Sequence, residues 1–129
     1  MIASILINSN NKLNLEKVFD SYEKNASNLN SFEFIINIDE NDNEIKEYLD
    51  KQINERKFVI KYIEEYEGDY FSGHINNNKM LNYVNSDSYF ISCTGDRIIN
   101  EVENWDEKLT NYKNFYKDDI FRIKCSSFK

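Results

Sequence analysis

At 129 residues, 40% hydrophobic and 15% aromatic, the chain has enough apolar material for one core and too little for two, and far too many aromatics for a disordered segment. Its net charge of −7 excludes a general nucleic-acid binder, which carries a basic face. No apolar run approaches the roughly 20 residues of a membrane span, and the first seven residues lack the basic n-region of a secretory signal. Cys93 and Cys125 make neither a disulfide framework nor a metal cluster; both lie in strand-like runs and read as buried thiols of a cytoplasmic protein. Asparagine is abundant and proline absent, so a single asparagine carries little information.

In chain order the apolar period switches repeatedly between strand and helix. Ser4-Ile5-Leu6-Ile7 is a short buried strand, followed by the polar turn Asn8-Ser9-Asn10-Asn11. Leu15, Val18, Phe19 and Tyr22 recur at i, i+3, i+4 and i+7, one face of an amphipathic helix that Asn11 or Asn14 would cap. A second strand over 32–38 ends in Asp39-Glu40-Asn41-Asp42, and Ile45, Tyr48, Leu49 and Ile53 mark a second helix with Asp42 at its cap. The third strand covers 58–62, and an acidic, glycine-bearing loop over 64–73 follows it. Met80, Leu81 and Val84 place a helix between His74 and Asn85; an apolar strand over 88–93 then runs into Thr94-Gly95-Asp96. Trp105, Leu109, Tyr112 and Tyr116 form a last helical stripe, expected to be buried at least over its first three members, and Ile120-Phe121-Arg122-Ile123 reads as a fifth strand. Such alternation predicts an α/β fold: a mostly parallel sheet, helices on both faces, Rossmann-like, with right-handed crossovers.

Asn8, Asp39 and Asp96 each fall just after a strand. Parallel strands bring such positions to one rim, where open α/β sheets bind ligands. The competing reading is local, since Asp and Asn commonly shape strand-to-helix turns and cap the next helix. The cluster at 39–42 has hard oxygen ligands for a divalent cation but no turn glycine, so it is not an EF-hand loop. His74 is the sole histidine and reads as a helix-start residue. Cys93 has no basic neighbour in sequence to make it a nucleophile. No glycine-rich loop of the Walker or dinucleotide type is present, which weighs against nucleoside triphosphatases and dehydrogenases.

The order of these segments resembles the nucleotide-sugar-binding N-terminal half of GT-A glycosyltransferases, especially the family-two type. The run 4–11 resembles the family's opening strand and turn, and 32–42 its second strand, whose terminal acid contacts the donor nucleobase. The run 78–91 resembles its helix leading into the metal-site strand, Thr94-Gly95-Asp96 falls at its acidic DxD-type motif, and Asn104-Trp105-Asp106 resembles a later Trp-Asp element. The resemblance implies a single nucleotide-sugar-binding domain over 1–129 that uses Mn²⁺ or Mg²⁺. Asp96 would ligate the metal, Asp39 would face the base, and Asn8 and Asn78 would lie near the donor. It implies sugar transfer to a glycan or other acceptor.

Two departures shape the expectation. Thr94 and Gly95 stand where the family has a further acid, and the sequence stops where the family's acceptor-binding half begins. No residue is assigned as general base, and a partner chain would supply the acceptor domain. The alternatives are a degenerate, non-catalytic GT-A-like binding or packing module, and a nucleotidyltransferase, which the absence of a glycine-rich, basic first loop disfavours.

Overall fold

Burial of β-branched and aromatic runs, the first two each followed by a capped amphipathic helix, sets the architecture of the chain. The computed structural model describes residues 1–66, 68 and 73–115. The expected fifth strand over 120–123, together with Tyr116 and Cys125, lies outside the described residues.

The elements are β1 (Ala3–Asn8), α1 (Lys12–Asn25), β2 (Phe32–Asn37), α2 (Asn43–Glu55), β3 (Val59–Ile63), α3 (Gly73–Leu81), β4 (Phe90–Gly95) and α4 (Trp105–Phe115). The four strands are all parallel, in the order β3-β2-β1-β4. Asn8 stands opposite Asn37 on one side and Gly95 on the other, so three strands end level. The α1 cap falls to Asn11, whose Oδ1 accepts from Asn14 N at 3.0 Å; Asp42 caps α2 through Ile45 N at 3.2 Å. Each such cap stabilises its helix by about 1 kcal/mol.

Period-two alternation divides the strands between two cores. On the first face Ile5, Ile7, Phe32, Phe34 and Ile36 meet Leu15, Val18 and Phe19 of α1, Ile45 and Leu49 of α2, and Trp105 of α4. Aromatic rings fill this side edge to face: Phe19 with Phe34 and Phe32 with Trp105 lie 4.9 Å apart between centroids. Trp105 also donates its Nε1–H to the Tyr22 carbonyl at 3.2 Å, satisfying its one polar atom. On the second face Leu6, Ile35 and Ile63 are covered by Met80 of α3 and by Val84.

The second face also holds a charge. Glu33, fully buried in β2, ion-pairs with Lys61 at 2.8 Å and accepts hydrogen bonds from the Ser4 hydroxyl and, at 2.7 Å, from Asn85 N. Burial pushes its pKa up, but Lys61, Ser4 and the Asn85 amide outweigh that and hold it below the ordinary glutamate value. Asp106, at the start of α4, clamps the α1–β2 loop in the same way, accepting from Ser27 N at 2.7 Å, Asn28 N at 2.8 Å and the Ser31 hydroxyl at 3.0 Å. Burial opposes its ionisation, and these donors overcome it and lower its pKa.

Three expectations are corrected. Among the described residues β4 ends the sheet with no helix over its second face; Ile91 and Cys93 are exposed there, so Cys93 is not a buried thiol. Tyr112 is 46% exposed, because α4 meets the core through Trp105 and, in part, Leu109, and the helix then runs outward, with Lys113 over the Tyr89 ring. In α2, Ile53 is exposed and Gln52 takes the buried position, its Oε1 accepting from Arg56 Nε at 2.7 Å. Arg56 explains that exchange, since it also bridges Asp20 and Glu23 of α1 and lies over the Phe19 ring.

Candidate functional site: the carboxyl rim of the sheet

Parallel strands that end level bring their following residues to one rim. From β1 the chain steps outward to β2 and β3, then returns to place β4 on the other side of β1. The reversal between β1 and β4 opens the crevice in which doubly wound sheets bind ligands. Asn8 and Ser9 lie at one lip and Asp96, one residue past β4, at the other. Asp39, two residues past β2, shares the rim, about 10 Å from Asp96 by two strand spacings.

The crevice is bridged by one side-chain hydrogen bond. The Ser9 hydroxyl donates to Asp96 Oδ2 at 2.8 Å and accepts from Asn11 N at 3.1 Å. Ser9 N donates to the Asn37 carbonyl at 3.1 Å, so Ser9 joins the ends of three strands and is only 7% exposed.

Asparagines tie α3 to the rim. Asn8 Nδ2 donates to Asn77 Oδ1 at 3.1 Å, and Asn37 Nδ2 to Asn76 Oδ1 at 3.4 Å. Asn37 Oδ1 accepts from Glu65 N at 3.1 Å, fixing the start of the loop after β3. Asn8 Oδ1 is buried and accepts no hydrogen bond from the described residues. Asn78 lies on the exposed side of α3, and Asn77 is the neighbour that meets Asn8. The helical period explains the difference: counting back three and four residues from the buried Met80 reaches Asn77 and Asn76.

Asp39 is exposed, and its Oδ1 accepts from Asn41 N at 2.8 Å, the local turn that short acidic loops form. The first turns of α1 and α2 line an open groove of about 250 Å³ bounded by Asn11, Lys12, Asp42 and Ile45 among others, with a Lys12–Glu44 ion pair of 2.9 Å. His74 lies in the first turn of α3, as its sequence position implies. Partial desolvation within β4 raises the pKa of the otherwise exposed Cys93 thiol, away from a nucleophilic thiolate.

Among the described residues no group of three histidine, cysteine, aspartate or glutamate side chains is placed to hold a metal ion. Asp96 brings one carboxylate, with one oxygen already engaged by Ser9. Such a site fits a divalent cation only as a single ligand among others supplied by a diphosphate and water.

Sequence reading missed Ser9, Asn76, Asn77 and Glu33. Ser9 carried a weak signal, a hydroxyl one step past a strand; Glu33 carried none, because an acid within an apolar run announces its burial but not its partners.

An all-parallel sheet of this order, helices on both faces and a polar rim at the β1–β4 reversal define a Rossmann-like α/β fold of the GT-A type. Its solved counterparts include a crystal structure of residues 1–349 of S. aureus TarS, a GT-A-type glycosyltransferase, with a TM-score of 0.62 at 18% identity over 89% of this chain. A second TarS structure, in complex with UDP, has a TM-score of 0.62 at 17% identity over the same share. The chain spans 32% of either TarS chain, about a third of its length. No protein-family model and no curated protein matches the sequence. No helix among the described residues is long and apolar enough to cross a membrane.

Proposed function

We propose that this domain binds the nucleotide-sugar donor of a glycosyl transfer, with a divalent cation, Mn²⁺ or Mg²⁺, at Asp96. The observation that carries the reading is the convergence of Asn8, Asp39 and Asp96 on one rim at the topological reversal, in a fold shared with a structure that holds UDP. Asp39 faces the nucleobase. Asn8 lines the donor site together with Asn77, which orients the Asn8 carboxamide. Asp96 offers its free oxygen to the ion. A divalent ion on the diphosphate stabilises charge on the departing nucleotide, and it reconciles an acidic protein with an anionic ligand. The acceptor site and general base belong to further polypeptide, and the setting is the cytoplasm.

Calorimetric titration with UDP and a panel of other nucleoside diphosphates, in Mn²⁺ and in chelator, tests this. Binding should strengthen about tenfold with Mn²⁺, a gain of about 1.4 kcal/mol. Asp96→Asn should remove most of that gain, because a neutral amide oxygen replaces a full charge on a hard cation. Asp39→Ala should weaken base discrimination and leave the metal response intact. Equal affinity with Mn²⁺ and with chelator in folded protein would reject the metal-dependent reading. That outcome would leave a non-catalytic GT-A-like module.

A further inference from the structure

The geometry points to Ser9 as the positioning residue for Asp96: its buried hydroxyl crosses the β1–β4 reversal and fixes which carboxylate oxygen faces a ligand. This deepens the donor-binding reading and rests on it. Two acceptors lie near the hydroxyl, Asp96 Oδ2 at 2.8 Å and the Asn11 carbonyl at 3.4 Å. The shorter, charge-assisted bond takes the proton. Ser9 has little freedom to choose otherwise. Its amide is held by the Asn37 carbonyl, its oxygen accepts from Asn11 N, and its side chain is enclosed.

The consequence for Asp96 is directional. It follows the last residue of an edge strand, is partly exposed, and belongs to a segment whose Arg97, Ile98 and Ile99 are exposed. Without Ser9 the carboxylate would sample several rotamers or engage a ligand through both oxygens. With Oδ2 committed, Asp96 presents Oδ1 alone, as a one-oxygen ligand. A single acid that serves in place of two gains most from such preorganisation, since ordering it beforehand removes that entropic cost from the binding step. Ser9 thus substitutes orientation for the charge that Thr94 and Gly95 do not provide.

The test is the ratio of UDP affinity in Mn²⁺ to that in chelator, read by calorimetry on the full chain. Ser9→Ala should lower this ratio about threefold to tenfold, the range of one ordinary hydrogen bond and within the whole Mn²⁺ gain. Ser9→Thr, which keeps the hydroxyl, should restore it. In an Asp96→Asn background Ser9→Ala should change the ratio no further, because the hydroxyl acts through that carboxylate. Should Ser9→Ala fail to fold, Ser9→Cys, of similar volume and a poor donor, gives the same comparison. A purely structural role would weaken both arms in parallel and leave the ratio unchanged. If Asp96→Asn abolishes the Mn²⁺ gain while Ser9→Ala leaves the ratio intact, the Ser9 assignment is overturned and the donor-binding reading stands. If the unaltered protein shows no Mn²⁺ gain, both fall together.

Discussion

The two faces of the sheet solve the same packing problem with different chemistry. On the first, three helices and a set of interlocked aromatics exclude water, and the buried polar side chains, Ser21, Gln52 and Asp106, stand on the helices and not on the strands. On the second, α3 covers β1 and β2 through Met80 and a short apolar strip, and the remaining contacts are asparagine pairs and the Glu33–Lys61 bridge. The aromatic side supplies stability through buried area, which is non-directional. The polar side supplies positions: its hydrogen bonds fix α3 to the strand ends where the candidate ligand residues stand. A face made of specific hydrogen bonds is sensitive to single atoms, whereas a face made of area tolerates change in proportion to volume.

Substitutions on each face separate these two behaviours. The largest effect belongs to Trp105→Ala, which empties the centre of the aromatic side and should cost about 3–5 kcal/mol in urea unfolding. A cost under about 1 kcal/mol would mean that the first face does not depend on its aromatic lock.

Lys61→Ala should cost about 2 kcal/mol, less than a fully buried pair because Lys61 is itself 40% exposed. Its pH dependence is the sharper readout. In the unaltered protein Glu33 has a lowered pKa, so its contribution is present above the ordinary value of 4.5 and is lost as pH falls through its folded pKa. Without Lys61, burial dominates and the folded pKa rises, so the variant's deficit should be widest near neutrality and narrow in acid. A deficit independent of pH would show that Lys61 contributes only its hydrogen bond to the Tyr83 carbonyl, 3.0 Å away.

The smallest effect is expected of Tyr112→Ala, under about 0.5 kcal/mol for an exposed surface residue. A larger loss in the same unfolding experiment would mean that the outer turns of α4 are covered in solution and that the first face extends past Trp105.

Periodicity made the first face readable from sequence. Leu15, Val18 and Phe19 are all fully buried, as their spacing requires, and Asp42 caps α2 where it was expected to. It failed where one side of an element lacks a covering layer among the described residues. The strand Phe90–Gly95 has the composition of a buried strand, but composition does not reveal whether a helix crosses above it. Tyr112 continues a correct stripe past the point at which α4 leaves the core. At the rim, strand ends located Asn8, Asp39 and Asp96, because a parallel sheet places every such position on one edge. The partners of those residues were hidden. Ser9 meets Asp96 across 87 positions of sequence and Asn8 meets Asn77 across 69, and no local pattern encodes contacts so distant.

Strand order also bears on how the molecule assembles. β1 lies between β2 and β4, yet its first residue, Ala3, pairs with Phe32 and with Phe90. A ribosome therefore releases the middle of the sheet first and its second neighbour much later. The β1-α1-β2 unit can collapse early around Phe19 and Phe34, whereas the β4 side of β1 stays open until Phe90–Gly95 has emerged. Loop-closure entropy works most strongly against that pairing, the most distant in sequence among the described strands. Until it closes, the backbone edge of Ala3–Asn8 is unprotected, and the nascent chain is most exposed to aggregation in that interval.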